Sequence, residues 1–145
     1  MRPIYETDDD LSREARFAAI ISDSFKCKLH KMPIRYGLDF AAIKDGRTIG
    51  FLETKIRMNP VEKYPTYMIS LGKFMSAEAI TRATSLSCRL AVMWTNGWGF
   101  VKMEMTPDVV VSVGGRRDRG DDQDVEPVCL IPISSFTICH LRDGN

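Results

Sequence analysis

The sequence is poor in the residues that build metal clusters or disulfide frameworks. Its 145 residues include two histidines and four cysteines, Cys27, Cys88, Cys129 and Cys139, which show no CxxC spacing. Neither a zinc site nor a disulfide framework is indicated, and we expect reduced thiols in the core.

Long apolar segments are also absent. No run approaches the roughly 18 apolar residues of a membrane span, and the N-terminal residues MRPIYETDDD contain no apolar signal core. We therefore expect a soluble, cytoplasmic protein with no membrane partner. With 44% hydrophobic residues, the chain has the size and composition of a single globular domain spanning residues 1–145.

A strong excess of one charge is missing as well. The net charge of +1 gives by itself no argument for a nucleic-acid partner. The distribution is uneven, however, since residues 26–63 carry nine Lys or Arg against four Asp or Glu. This basic segment would suit a polyanionic substrate, and a solvated surface explains it equally well.

The stretch from Arg35 to Arg57 predicts a β-hairpin, and residues 26–32 predict a strand before it. Two arms rich in apolar and β-branched residues flank a turn signal at Lys44-Asp45-Gly46. We predict a three-residue loop that ends with Gly46 in the left-handed conformation.

That loop length decides which side chains share a face, because side chains alternate along a strand. A three-residue loop places Asp39 opposite Phe51 and Glu53 opposite Gly37, so that both carboxylates lie on one face. Their Cβ atoms would then be roughly 7 Å apart. Lys55, two residues after Glu53, lies on the same face.

A first amphipathic helix is predicted to begin at Asp8-Asp9-Asp10, whose carboxylates can satisfy exposed N–H groups. Glu14 lies at the margin of its buried face, where it points either into a site or into solvent. The predicted buried residues are Leu11, Ala15, Ala18, Ile21 and Phe25.

A second helix is predicted from Leu71 to about Leu86, capped by Ser70. Lys73 lies in its first turn, where a cation opposes the positive end of the helix dipole. This suggests an anionic partner for Lys73, although a solvated lysine is the simpler explanation. The predicted buried residues are Met75, Ala79, Ala83 and Leu86.

The C-terminal half predicts further strands. Asn96-Gly97 indicates a two-residue hairpin turn with both residues at positive φ. Residues 114–127 are glycine-rich and charged, which predicts a loop, and residues 128–139 predict a C-terminal β extension. In the loop, Arg116 and Arg117 either bind phosphates or lie on a mobile surface.

Asp39, Glu53 and Lys55 together suggest a site for a hard cation with a neighbouring ammonium group. Mg²⁺, with Mn²⁺ as a substitute, would neutralise a phosphate and activate water for phosphodiester hydrolysis. A single ExK motif is weak, since about one is expected in every two or three chains of this length. An ordinary salt bridge between Asp39 and Lys55 is the structural alternative.

The order of these motifs resembles the PD-(D/E)xK nuclease superfamily: a helix with Glu14, a strand, LDF with Asp39, ETK with Glu53 and Lys55, then a helix. The resemblance covers residues 10–105. It implies an α/β restriction-endonuclease-like fold, with a mixed central β-sheet flanked by helices in the order αβββαβ, here with an extra C-terminal β segment. Leu38 stands where the name-giving proline would be.

The resemblance also implies roles for individual residues. Asp39 and Glu53 would be metal ligands, Lys55 the catalytic lysine, the Thr54 carbonyl a further ligand, and Glu14 the acidic residue of the first helix. The segment YMISLGK, ending in Lys73, is similar to the start of the following helix in small phage-type nucleases. We expect Lys73 and three arginines to contact DNA: Arg57, Arg116 and Arg117.

These observations predict a Mg²⁺-dependent deoxyribonuclease that acts as an endonuclease, in the host cytoplasm if it is encoded by a phage. Family analogy also allows a homodimer. Two alternatives remain open: a non-catalytic nucleic-acid-binding module that retains the nuclease fold, and a scaffold protein with a salt-bridged hairpin.

Overall fold

The computed structural model describes residues 8–115 and 125–140. Short 3₁₀ turns at Ile34–Tyr36, Val61–Lys63 and Ile133–Ser135 join some of its elements. The helices and strands are, in chain order, α1 (Asp8–Phe25), β1 (Lys28–Lys31), β2 (Phe40–Lys44), β3 (Arg47–Ile56), β4 (Thr66–Ser70), α2 (Leu71–Thr84), β5 (Ser87–Trp94), β6 (Gly97–Lys102), β7 (Val110–Gly115), β8 (Val125–Pro132) and β9 (Thr137–His140).

The strands form two sheets. The larger has the order β1-β2-β3-β5-β6-β9, and it is mixed because β3 and β5 are parallel whereas its other pairs are antiparallel. The smaller has the order β4-β8-β7. The predicted order of helices and strands is present, with an additional strand, β4, directly before α2.

The turn of the central hairpin differs from the predicted one. Lys44 pairs with Arg47, so the loop contains only Asp45 and Gly46, with φ of 52° and 75°. The prediction of a three-residue loop is therefore wrong, although Gly46 is left-handed as expected. Asp45 also adopts the left-handed conformation, which the two-residue turn requires.

A β-bulge compensates for this shorter turn, so that Asp39 and Glu53 still lie on the same face of the hairpin. Ala42 pairs with Gly50 and Ile43 with Thr48, which leaves Ile49 as the extra residue. The pairing of Phe40 with Leu52, continued by one residue, then sets Asp39 opposite Glu53. The predicted pairings of Asp39 with Phe51 and of Glu53 with Gly37 are wrong.

The first helix packs on a face close to the predicted one. Ile21 is buried as expected, but Ala15 is exposed and Phe17 is buried in its place. The Phe17 ring packs edge to face on Trp98, with 5.8 Å between the centroids. The large aromatic side chain therefore sets which face of α1 turns inward.

The second helix is capped as predicted, but another face is buried. The Ser70 hydroxyl accepts a hydrogen bond from the Gly72 N–H at 3.1 Å. Phe74 and Ala77 are its buried residues, whereas Met75, Ala79 and Ala83 are exposed and Leu86 follows the end of the helix. The predicted face is thus wrong by one residue, or about 100° of helical rotation, because the Phe74 ring occupies the interior.

The hairpin between β5 and β6 is present, but its turn is shifted by one residue. Trp94 pairs with Gly97, so Thr95 and Asn96 form the turn, and neither Asn96 nor Gly97 has positive φ. The Asn96 side chain is engaged elsewhere, since its Oδ1 accepts a hydrogen bond from the Val61 N–H at 3.0 Å. This long-range contact accompanies a turn that local sequence did not predict.

The larger sheet separates two apolar clusters. On one face, α1 residues pack against Leu52, Ala91 and Trp98. On the other face, α2 and the smaller sheet pack against Leu90 and Val92. The alternation along β5 shows how one buried strand serves both clusters.

The predicted C-terminal β extension is built into both sheets, since β8 lies between β4 and β7 and β9 pairs with β6. Three cysteines are buried, as expected of core thiols, whereas Cys139 is only partly buried. None of the helices described here is long and apolar enough to cross a membrane.

Candidate active site

Glu53 carries its carboxylate into the interior, where the residue is only 1% exposed. Burial raises the pKa of Glu53 to about 7, the charge of Asp39 acts in the same direction, and Lys73 and Lys55 oppose the shift. Lys73 Nζ lies 3.4 Å from both carboxylate oxygens, and Lys55 Nζ lies 3.6 Å from Oε2. The two ammonium groups offset part of the cost of burying this charge.

Lys73 is held inside the site by a second contact. Its ammonium group donates a hydrogen bond to the Gly37 carbonyl at 2.8 Å. Gly37 has φ of 75°, and a Cβ at this position would lie 2.9 Å from Ser76 Oγ, so any other residue there would be strained. The anionic partner that the sequence suggested for Lys73 is the Glu53 carboxylate.

Asp39 lies just before β2 and is fixed by the neighbouring strand. Its Oδ2 accepts hydrogen bonds from the Thr54 N–H at 2.8 Å and from the Thr54 hydroxyl at 3.0 Å. The N–H and C=O of a strand residue point to the same edge, so the Thr54 carbonyl lies on the Asp39 side. Two carboxylates and one carbonyl therefore converge at this edge of β3.

The salt bridge proposed as the structural alternative does not form. Among the described side chains no ion pair joins Asp39 to Lys55. Lys55 pairs with Glu53, and Asp39 Oδ1 lies 3.7 Å from Lys31 Nζ. Asp39 and Lys55 therefore lie on the two arms of the hairpin without forming an ion pair with each other.

Glu14 reaches this edge of the sheet from α1, but its carboxylate is paired with Lys31. Lys31 therefore lies between Glu14 and Asp39. In the part of the chain that the structure describes, no three His, Cys, Asp or Glu side chains are grouped closely enough to hold a metal ion. The structure brings Asp39 and Glu53 together and leaves Glu14 outside that pair.

Lys31 was not singled out in the sequence. It pairs with Phe40 across β1 and β2, next to Asp39, and its ammonium group lies 5.1 Å from the Phe40 ring centroid. The segment between these strands, residues 32–39, contains Pro33, a 3₁₀ turn and the left-handed Gly37, and it is too long for the turn rules of short hairpins to set a register. Side-chain alternation within the hairpin therefore did not place Lys31 relative to Asp39.

A cleft of about 460 Å³ surrounds these groups. Four cations and three carboxylates line it, so the cleft offers cationic groups that can bind phosphate beside a cluster of acidic groups. Arg13 was not predicted, and α1 brings it to the cleft beside Glu14. The lining residues are Arg13, Glu14, Asp39, Glu53, Thr54, Lys55, Ile56, Arg57, Met58 and Lys73.

Of the three predicted arginines, Arg57 lies among the described residues. Arg57 is exposed at the cleft, and its guanidinium lies 5.0 Å from the centroid of the Tyr67 ring. Arg116 and Arg117 lie outside the described residues.

The oxygen donors of the site suit a hard divalent cation. Mg²⁺ is usually bound by one or two carboxylates and keeps several waters, which matches Asp39, Glu53 and the Thr54 carbonyl. A carboxyl group with a pKa of about 7 is partly protonated at neutral pH, and a cation would favour its ionised form. The donor set therefore fits the ion that the sequence predicted.

Comparison with known proteins gives a family and a fold. A family model described as phage putative PDDEXK endonuclease matches residues 1–139. The 1.6 Å structure of Hjc, a Holliday junction resolvase from the archaeal hyperthermophile Archaeoglobus fulgidus, matches with a TM-score of 0.53 and 13% sequence identity. The match covers 83% of this chain and 82% of that chain. No curated protein matches the chain.

At this identity the structural match concerns the fold alone. It confirms the α/β restriction-endonuclease-like fold with a mixed central sheet, which the order of motifs had predicted.

Proposed function

The chain belongs to the family of phage PDDEXK endonucleases, and from this premise we propose that it is a Mg²⁺-dependent deoxyribonuclease cutting within DNA strands. The observation that carries the proposal is the buried Glu53, which faces Asp39 and lies between two lysines in a cationic cleft. A binding module has no need of buried carboxylates, which repel phosphate.

Asp39, Glu53 and the Thr54 carbonyl would hold the ion. Bound there, Mg²⁺ would neutralise charge on the scissile phosphate and lower the pKa of a coordinated water. Thr54 fixes the Asp39 carboxylate through two hydrogen bonds. Lys73, on α2, donates hydrogen bonds to both Glu53 and the Gly37 carbonyl. The Asp39 and Glu53 carboxylates are therefore held in place before substrate arrives.

Lys55 is the catalytic lysine in this proposal. Its side chain is 36% exposed, in contrast to the 2% of the Glu53 side chain, so its ammonium group can reach substrate. It would orient the attacking water and stabilise the charge that develops on the phosphoryl oxygens. Arg13 and Arg57, at the cleft wall, would bind flanking phosphates.

Glu14 has a secondary role in this scheme. Its carboxylate is paired with Lys31, so direct coordination of the ion would require Lys31 to move away. We assign Glu14 a water-mediated contact with the ion. A Mn²⁺-soaked crystal with Glu14 bound directly to the ion would contradict this assignment.

The activity can be tested with supercoiled, linear, branched and single-stranded DNA in Mg²⁺, Mn²⁺ or EDTA. Branched DNA is included because the similar archaeal protein is a Holliday junction resolvase. Cleavage is expected with either metal and not in EDTA. Asp39→Ala and Lys55→Ala should each reduce the cleavage rate by about 100-fold or more, as loss of one electrostatic group does in other enzymes.

Lys44→Ala is the matched control, since Lys44 is an exposed lysine on the same hairpin and does not line the cleft. It should cleave at the wild-type rate. Metal-independent cleavage, or full activity in both site variants, would refute the proposal. Salt-sensitive DNA binding without turnover would favour a non-catalytic binding module.

We also propose a homodimer acting in the host cytoplasm, since two copies of the site would allow one assembly to cut both strands of a duplex. Its support is strand β7, which carries no charged residue and exposes Val110, Val111 and Val113 by 55%, 51% and 61%. Edge strands of this kind usually pair or are covered. Sedimentation equilibrium that gives only a 16.4 kDa species would rule the dimer out.

A further inference from the structure

A second cavity, of about 400 Å³, adjoins the active-site cleft, and Arg57 lines both. We call it the side pocket. The segment after β3 forms its outer wall and is fixed at both ends. The Thr95 N–H donates to the Asn59 carbonyl at 3.1 Å, and the Ile133 N–H donates to the Pro65 carbonyl at 2.9 Å.

The side pocket contains a buried polar group without a well-formed hydrogen bond. Tyr67, which lines it, is 5% exposed, and within the described residues its hydroxyl makes no hydrogen bond of good geometry. Buried polar groups are nearly always paired, and an unpaired one destabilises the folded state. Burial raises the pKa of Tyr67 to about 12, so the hydroxyl is a hydrogen-bond donor at neutral pH. The nearby Arg57 guanidinium lowers the pKa of this hydroxyl and the Glu53 carboxylate raises it, so both groups lie close to it.

An exposed aromatic ring lies at the same pocket. Tyr64 is 56% exposed, and Lys63 Nζ lies 5.5 Å from its ring centroid. Arg57 lies over the neighbouring Tyr67 ring. Exposed aromatic rings beside cations are how proteins bind single-stranded nucleic acid, with bases stacked on the rings and phosphates on the cations.

We propose that the side pocket binds one unpaired nucleotide of a DNA strand that occupies the cleft. Its base stacks on Tyr64 and accepts a hydrogen bond from the Tyr67 hydroxyl, and its phosphate binds Arg57. Arg57 is exposed and covers the Tyr67 ring, so its movement onto the phosphate gives the base access to the hydroxyl.

This inference rests on the proposed nuclease function and adds a substrate class to it. A base in an intact duplex is paired and stacked on both sides, so it cannot enter the side pocket unless it is flipped out. The preferred substrate is therefore DNA with unpaired nucleotides beside the scissile bond, as in a fork or a flap.

The test measures binding without turnover, in EDTA and low salt. The probe is an oligonucleotide with the fluorescent base 2-aminopurine at the unpaired position of a fork, compared with the same base in a full duplex. Wild-type protein should quench the unpaired base and bind the fork more tightly. Tyr64→Ala should lose the quenching and bind the fork about fivefold more weakly or worse.

Tyr36→Ala is the matched control. Tyr36 is 46% exposed and carries the Arg35 guanidinium 5.2 Å from its ring centroid, but it lines neither cavity. It should quench and bind as wild type does. Equal behaviour of Tyr64→Ala and Tyr36→Ala, or no preference of the wild type for the fork, would overturn the proposal.

Tyr67→Phe tests the hydroxyl separately from the fold. Because this hydroxyl makes no hydrogen bond of good geometry in the free protein, its removal should keep or raise Tm while weakening fork binding severalfold. Unchanged fork affinity would refute its role. Quenching by a protein that does not cleave DNA would support the side pocket and refute the nuclease function. Cleavage without quenching would support the nuclease function and refute the side pocket.

Discussion

At the residue scale, Glu53 shows what it costs to bury an acidic group in the proposed site. Its carboxylate is almost fully buried, and two half-exposed lysines compensate it only in part, since its pKa is still raised to about 7. Such a group lowers the stability of the metal-free protein whenever it is ionised. A cation would remove this penalty, which links ion binding to the folded state.

This gives a pH dependence with a definite sign. The pKa of Glu53 is raised from 4.5 to about 7 in the folded protein, so between these values the folded state holds a proton that the unfolded chain has released. In EDTA, stability should fall as pH rises from 4.5 to 7 and then level off. The loss from this group is on the order of 3 kcal/mol.

Glu53→Gln should remove this dependence and unfold at a higher urea concentration than wild type at pH 8. Urea denaturation at pH 5 and pH 8 measures both effects. Glu104→Gln, at an exposed position, is the control and should follow wild type. A parallel loss of stability in wild type and Glu53→Gln would assign the dependence to other groups.

At the scale of elements, the bulge in β3 keeps Asp39 and Glu53 on one face. The two-residue turn alone would have set Asp39 opposite Leu52, and the extra Ile49 corrects this by one residue. Ile49 is 44% exposed, so its side chain contributes little to the core. The bulge therefore acts on register more than on packing.

Deletion of Ile49 provides a test at this scale. The deletion should leave a regular hairpin in which Ala42 still pairs with Gly50, so Asp39 still faces Glu53 and Mg²⁺-dependent cleavage should stay within a few-fold of wild type. Insertion of an alanine after Ile49 should instead shift the register by one residue and lower the rate by about 100-fold. A folded but inactive deletion variant would contradict this reading of the bulge.

At the scale of the whole molecule, the larger sheet holds the site between two apolar clusters. Phe17 of α1 packs on one face of the sheet and Phe74 of α2 on the other. These helices also carry Glu14 and Lys73, which each form an ion pair at the site. Packing of the helices therefore fixes the charges around Asp39 and Glu53.

A bound ion should stabilise the whole fold, because its proposed ligands, Asp39, Glu53 and the Thr54 carbonyl, are brought together only in the folded protein. At a Mg²⁺ concentration 100 times the Kd, the gain is about 2.7 kcal/mol, which for a chain of this size raises Tm by about 5 to 10 °C. Differential scanning calorimetry with and without Mg²⁺ measures the shift. Asp39→Ala should show little of it, and no shift in wild type would favour the scaffold alternative.

Local signals were enough for part of this structure. The cap at Ser70, the left-handed Gly46 and the order of the elements follow from short segments, because capping, turn chemistry and strand alternation depend on neighbouring residues. The family match bears out the nuclease assignment drawn from the motif order. The roles of Asp39, Glu53 and Lys55, and the division into a single domain, stay predictions.

The sequence by itself therefore determined the family, most of the element order and the choice of Asp39, Glu53 and Lys55 as the proposed site, since each follows from short stretches of the chain. Only the tertiary structure decided that Lys73 pairs with Glu53, that Lys31 lies between Glu14 and Asp39, and that a bulge corrects the register. These contacts join residues far apart in the chain, and their geometry depends on how helices and sheets pack, which no local pattern specifies.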